Sequence, residues 1–281
     1  MNAFSEWLKV LLLGILEGVT EWLPISSTGH LLLLDGFLSL NQSEEFKEVF
    51  FVVIQLGAIL AVPLLFWDEM ILFRREGQVI RFQGDSLSRW LKVILACVPG
   101  AAVTLLFDNA IDGFLNHTKI GGISLLPVII AAALILYGAI FLLIERKNKV
   151  PHIQNTKDIR YTDALLIGLF QTLSVIPGTS RSGSTIIGAI ALGISRPAAA
   201  EFTFFLAVPV MLGYSLLKLL KFGFIFTASE AALLVAGTAS AFLTSLFVIR
   251  ALMSYVQKHS FSSFGIYRIV LGIAVLLYFL L

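Results

Sequence analysis

The sequence predicts an all-α polytopic membrane protein: six transmembrane helices plus two re-entrant helix-turn-helix hairpins, arranged as an inverted-topology repeat. Three observations carry this expectation. Of the 281 residues, 58% are hydrophobic and only 14% charged, with a mean hydropathy of +0.91. An ordinary soluble domain is about 45–50% apolar and about 25% charged. Six uninterrupted apolar runs have spanning length, and two further apolar regions are broken near their middles in similar ways.

Taken in chain order, the first apolar region covers 8–38 and is interrupted by "LPISSTGH". Three runs follow at 46–67, 90–108 and 121–144. The second interrupted region, 162–195, contains "IPGTSRSGST" and is followed by runs at 200–221, 230–250 and 263–281. Each continuous run is close to the roughly 20 residues that a bilayer core requires. The interruptions suit a helix–turn–helix that enters the membrane and returns on the same side. Irregular backbone at that depth is tolerated where it is buried in protein or lines a wet cavity. The chain is expected to be a single membrane domain, 1–281, with halves 1–145 and 158–281. Its N-terminus lacks a basic leader and its first apolar run stops at Glu17, so no cleavable signal peptide is expected.

Lys and Arg in the connecting loops set the expected orientation. Loop 68–92 carries Arg74, Arg75, Arg81, Arg89 and Lys92, and loop 145–160 carries Arg146, Lys147, Lys149, Lys157 and Arg160. The last connection carries Arg250, Lys258 and Arg268, whereas the opposite loops are poor in basic residues. Placing the basic loops in the cytoplasm leaves both termini outside. The three spans of each half are an odd number, so the second half must be inverted relative to the first. Hairpin 8–38 then dips from outside and hairpin 162–195 from the cytoplasm.

The interrupted regions match at a fixed offset. A shift of 154 residues pairs Leu12 with Leu166, Gly14 with Gly168, Ser26 with Ser180 and Gly29 with Gly183. Inverted repeats with broken helices are a transporter-like plan, with the site where the breaks meet near mid-membrane.

The polar residues concentrate at those breaks. Glu17 and Glu21 are four apart and share a helix face, and two carboxylates in low dielectric must share a proton or a cation. Acids at this depth are functional candidates. Ser26, Ser27 and Thr28 stand where a second helix would begin, so its free N–H groups suit an anion. His30 lies one turn on, able to act as proton donor, proton acceptor or nucleophile. The second break supplies Ser180, Arg181, Ser182, Gly183, Ser184 and Thr185. A guanidinium flanked by hydroxyls and glycines at a helix start offers phosphate a planar, bidentate partner.

Gln55, Gln171 and Glu201 are expected to be structural, and Trp7, Trp22, Trp67 and Trp90 to anchor helix ends at the interface. Cys97 stands alone and reads as a small apolar residue. Asn41-Gln-Ser and Asn116-His-Thr match a short glycosylation sequon that carries no weight here. The sequence has no Walker loop, dinucleotide fingerprint, zinc spacing or basic nucleic-acid module.

"EGVTEWLPISSTGH" together with "PGTSRSG" resembles the bacterial undecaprenyl-diphosphate phosphatase family, also called the bacitracin-resistance protein family. The similarity covers nearly the whole chain, including "FFVVIQLGAILAV" and "EFTFFLAVPVM". The resemblance implies dephosphorylation of a long-chain polyprenyl diphosphate to its monophosphate, the recycled lipid carrier of cell-wall polymers such as peptidoglycan. It also implies a divalent cation (Mg²⁺ or Ca²⁺), the bacterial inner membrane, and bacitracin resistance on overproduction.

The residues fit that chemistry. Arg181 and the two helix starts would hold the diphosphate, with Ser26, Thr28, Ser180, Ser182 and Gly183 as further phosphate contacts. Glu17 and Glu21 would bind the cation. Ser27 is the preferred nucleophile with His30 as its proton partner; attack by His30 or by a metal-activated water is the alternative. A motif hairpin opening from outside places hydrolysis on the outer face. The competing class is a transporter or flippase of isoprenyl phosphate lipids using the same anion site. Fold alone does not separate the two, but a carrier has no need of a nucleophile. Nucleic acid is not an expected partner, and the sequence leaves room for a homodimer.

Overall fold

The computed structural model describes residues 3–117, 119–120, 123–147, 150–222 and 226–280. Lys149, Thr118 of the second sequon and the last residue of the final run lie outside them. The described residues are mostly helical, with two short antiparallel ladders. One pairs β1 (Phe73–Glu76) with β2 (Val79–Phe82), and the other pairs β3 (Lys119–Ile120) with β4 (Ile123–Ser124).

Eleven α-helices are described: α1 (Ala3–Thr20), α2 (Ser27–Leu38), α3 (Glu44–Leu65), α4 (Trp67–Met70), α5 (Gly84–His117), α6 (Leu125–Arg146), α7 (Tyr161–Thr172), α8 (Arg181–Ala191), α9 (Arg196–Phe222), α10 (Ala228–Val256) and α11 (Ser262–Leu280). Six of them, α3, α5, α6, α9, α10 and α11, are long and apolar enough to cross a membrane. They coincide with the six predicted runs. Helix α5 extends beyond its run at both ends, so the stretch expected to connect the runs 90–108 and 121–144 is largely helix. In the interrupted regions α2, α7 and α8 have 12, 12 and 11 residues. At about 1.5 Å per residue, none reaches across a hydrocarbon core of about 30 Å.

The two halves pack through each other. Helix α1 lies along α10 of the other half, and α7 lies along α5. Helices α3 and α9 meet, as do α6 and α11. Two glycines make the first pair of contacts close. A Cβ on Gly14 would fall 2.6 Å from the Gly237 carbonyl oxygen, and one on Gly168 would collide with the backbone of Ala96. These glycines stand 154 positions apart, the offset that aligns the interrupted regions.

Burial corrects two expectations. Trp22 is 0% exposed and packs edge-on against Phe204, ring centroids 5.3 Å apart. It is a core residue because the chain turns inward after α1, taking Trp22 with it. Arg268, counted above with the basic connection, lies inside α11 and is also 0% exposed. Trp7 and Trp67 are exposed, as interfacial anchors should be. Glu201 accepts the Thr156 hydroxyl at 2.6 Å.

Candidate active site

The first break begins where α1 ends. The Thr20 hydroxyl donates back to the Leu16 carbonyl at 2.8 Å, and Pro24, lacking an N–H, cannot continue the helix. Ser26 then takes φ +72°, a left-handed conformation that costs a non-glycine residue about 1–3 kcal/mol. Helix α2 starts at the next residue. His30, one turn into it, donates through Nδ1 to the Ser26 carbonyl at 2.7 Å, which holds the strained backbone in place.

The second break repeats this backbone. After α7, Gly178 has φ +90° and Ser180 has φ +67°, and α8 starts at Arg181. Ser26 and Ser180 are the two non-glycine residues of positive φ among those described, and they stand at aligned positions. Their side chains differ in use. Ser180 Oγ accepts the Gly183 N–H at 3.2 Å and so caps α8. Ser26 Oγ is buried without a partner.

Contacts across the breaks join them into one site. Arg181 donates to Glu21 Oε1 at 2.8 Å and to the Thr203 carbonyl at 3.2 Å. The ion pair is mostly enclosed, its side chains 12% and 10% exposed. Ser182 Oγ reaches the Leu23 carbonyl at 3.4 Å. Arg268 grips both breaks at once, donating to the carbonyls of Pro24 at 3.2 Å, Gly178 at 2.9 Å and Thr179 at 2.8 Å. Its guanidinium also lies 5.6 Å from the centroid of the Tyr137 ring.

A cavity of about 170 Å³ lies between the breaks. Its polar lining includes Thr20, Glu21, Ser26, Ser27, Thr28, Ser180, Arg181 and Ser182. Since a water occupies about 30 Å³ of liquid, the space suits a small anionic group rather than a chain of isoprene units. Arg181 and Ser26 both line the cavity beside the N-termini of α2 and α8, and Arg181 Nε and the Ser26 hydroxyl are enclosed without a protein partner. A guanidinium, several hydroxyls and two helix starts around one small space have the chemistry to receive an anionic group. Ser27 and Thr28 also line an adjoining, more apolar cavity of about 340 Å³, together with Leu31, Leu32, Leu34 and Phe51.

The remaining expected residues, Glu17, His30 and Gly183, are not among those lining this cavity. Glu17 is 3% exposed, with Gln55, Glu21 and Arg181 as neighbours, and its Oε1 has no partner. His30 is held between Ser26 and the Tyr267 hydroxyl, the latter 2.7 Å from Nε2. The Gly183 N–H is committed to the cap. Among the described residues no cluster of three or more His, Cys, Asp or Glu forms a self-contained metal cage.

Sequence reasoning missed Arg268, Tyr267 and Thr203. Arg268 carried a usable signal, a lone cation in the apolar run "FGIYRIVLGIAVLLYFLL", which marks a functional candidate in a membrane.

Comparison with known proteins adds an independent finding. A family model described as bacitracin resistance protein BacA matches residues 10–274. A curated protein of Enterococcus faecalis, named undecaprenyl-diphosphatase, is 59% identical over 278 residues, covering 98% of this chain and 97% of its own length. Proteins of the same name from Lachnoclostridium phytofermentans and Acetivibrio thermocellus are 53% and 49% identical, with 98% or more of this chain and 98% of each relative aligned.

Proposed function

The chain belongs to the bacitracin resistance protein family, and from that premise we propose that it hydrolyses undecaprenyl diphosphate to undecaprenyl phosphate and inorganic phosphate. The observation that carries the reading is the cavity where Arg181, Ser26, Ser27, Thr28, Ser180 and Ser182 converge. The adjoining leucine-lined space beside Ser27 suits a substrate with an anionic head and an apolar tail.

Arg181 and the starts of α2 and α8 hold the diphosphate. Ser27 Oγ attacks the terminal phosphorus in line with the bridging oxygen. The bond from phosphorus to that oxygen breaks, and undecaprenyl phosphate leaves. His30 takes the Ser27 proton. A water then attacks the phosphoserine, the bond from phosphorus to Ser27 Oγ breaks, His30 returns its proton to Oγ, and the water leaves as part of dihydrogen phosphate. Ser27 is preferred as nucleophile because it lines the cavity, which His30 does not.

Glu17 and Glu21 would hold a divalent cation, Mg²⁺ or Ca²⁺. The orphaned Glu17 Oε1 fits that role, and two carboxylates suffice where phosphate oxygens and water complete the shell. When bound, the cation offsets negative charge on the phosphate oxygens.

For the topology we propose an inverted repeat of two re-entrant hairpins, with the site opening to the outer face of the bacterial inner membrane and both termini outside. The aligned positive-φ serines, the reciprocal helix contacts and the short hairpin helices support it. Every residue of the site comes from one chain, so a homodimer would carry two complete sites.

The test is phosphate release from undecaprenyl diphosphate by the detergent-purified protein, with and without Mg²⁺ or Ca²⁺. Turnover that requires the cation is expected; an inactive wild type would sink the enzyme reading.

A further inference from the structure

His30 is held at both ends of its ring, and the partner of its second nitrogen is unexplained by the chemistry above. The Ser26 carbonyl can only accept, so Nδ1 carries the hydrogen of that bond. In the neutral ring Nε2 therefore bears the lone pair, and the Tyr267 hydroxyl at 2.7 Å donates to it. The two rings are nearly parallel, 11° between planes with centroids 5.6 Å apart. Tyr267 reaches His30 from α11, across 237 residues of sequence. Its neighbour Arg268 grips both breaks from the same turn.

We infer that Tyr267 is a positioning residue of the hydrolytic reaction, fixing the ring orientation and tautomer of His30 and remaining its partner through the proton cycle. The inference rests on the phosphatase reading. A phenol can give or receive a hydrogen bond. While His30 is neutral, Tyr267 donates to Nε2. When Nε2 takes the Ser27 proton, the new N–H donates to the Tyr267 oxygen, whose own hydrogen turns away. The proton lost by Ser27 is the proton gained by Nε2, and the imidazolium keeps an acceptor on each nitrogen. A phenylalanine keeps the ring contact but can do neither. Tyr267 also borders an apolar groove with Leu23 and Ile25.

The experiment measures steady-state hydrolysis of undecaprenyl diphosphate by wild type, Tyr267→Phe, His30→Ala and the double variant. Tyr267→Phe should lower kcat about tenfold, with KM unchanged within about twofold, since the bond matters as the proton moves. In the His30→Ala background the same change should have no further effect. Equal losses on both backgrounds would overturn the inference, as would an unchanged kcat or a loss confined to KM. The thermal midpoint in detergent should match wild type, and a lowered midpoint accompanied by additive losses would assign Tyr267 to stability alone. An inactive wild type would overturn the phosphatase reading and this inference together. An active wild type with an unaffected Tyr267→Phe would overturn this inference only.

Discussion

The two breaks share a backbone and differ in charge. At each, a helix ends, a serine adopts positive φ, and a new helix starts at the following residue. At aligned positions the first break has Glu17, Glu21 and Ser27, where the second has Gln171, Val175 and Arg181. The local backbone recurs, while the side chains carry opposite charge. Joined by the Arg181–Glu21 pair, an acidic break and a basic break can hold an anion together with a balancing cation. Two copies of either alone could not.

Removing the basic member should have the largest effect. Arg181→Ala is expected to lower kcat/KM a hundred- to a thousandfold, the range for a donor aimed at developing charge. It also leaves Glu21 without its buried partner. A rate within a few-fold of wild type, measured by phosphate release, would remove Arg181 from the site.

The next change makes the first break resemble the second. Glu17→Gln reproduces the residue found at Gln171 and should weaken activation by Mg²⁺ or Ca²⁺ by about tenfold or more, since one of two carboxylate ligands is lost. Titrating activity against each cation checks this. An unchanged midpoint would place the cation elsewhere.

The junction itself is a stability element. Arg268→Met retains volume but leaves three backbone carbonyls without their donor, and should cost about 3 kcal/mol or more. A thermal midpoint in detergent equal to wild type would show that the breaks do not need this clasp.

The smallest effect separates the serines. Ser26→Gly relieves the backbone strain at a residue whose hydroxyl has no partner, and should raise stability by about 1 kcal/mol. Ser180→Gly gains the same relief but loses the cap on Gly183, so it should stabilise by a few tenths less. Equal midpoints for the two variants would erase the distinction between a capped and an uncapped break.

Much of this was legible in the sequence, for reasons particular residues make clear. Six apolar runs report helices of spanning length because lipid demands length and apolarity, and both helix breaks were visible because Pro24 and Pro177 with their hydroxyl neighbours interrupt otherwise oily segments. Glu17, Glu21 and Arg181 stood out as candidates because charge inside such segments is costly. What was not legible depends on distance in space. Glu21 and Arg181 lie 160 residues apart, and no local pattern announces their ion pair. Arg268 was assigned to a loop because counting cations beside a run cannot tell an end from an interior turn. The positive φ of Ser26 was hidden because serine lacks the signature that glycine gives.

The most direct measurement is to mix the enzyme with undecaprenyl diphosphate, quench within a turnover, and map phosphate on the chain by mass spectrometry after acid and alkaline work-up. The account predicts an acid-stable phosphate on Ser27 that is absent from Ser27→Ala. An acid-labile phosphate on His30, or undiminished phosphate release by Ser27→Ala, would contradict it.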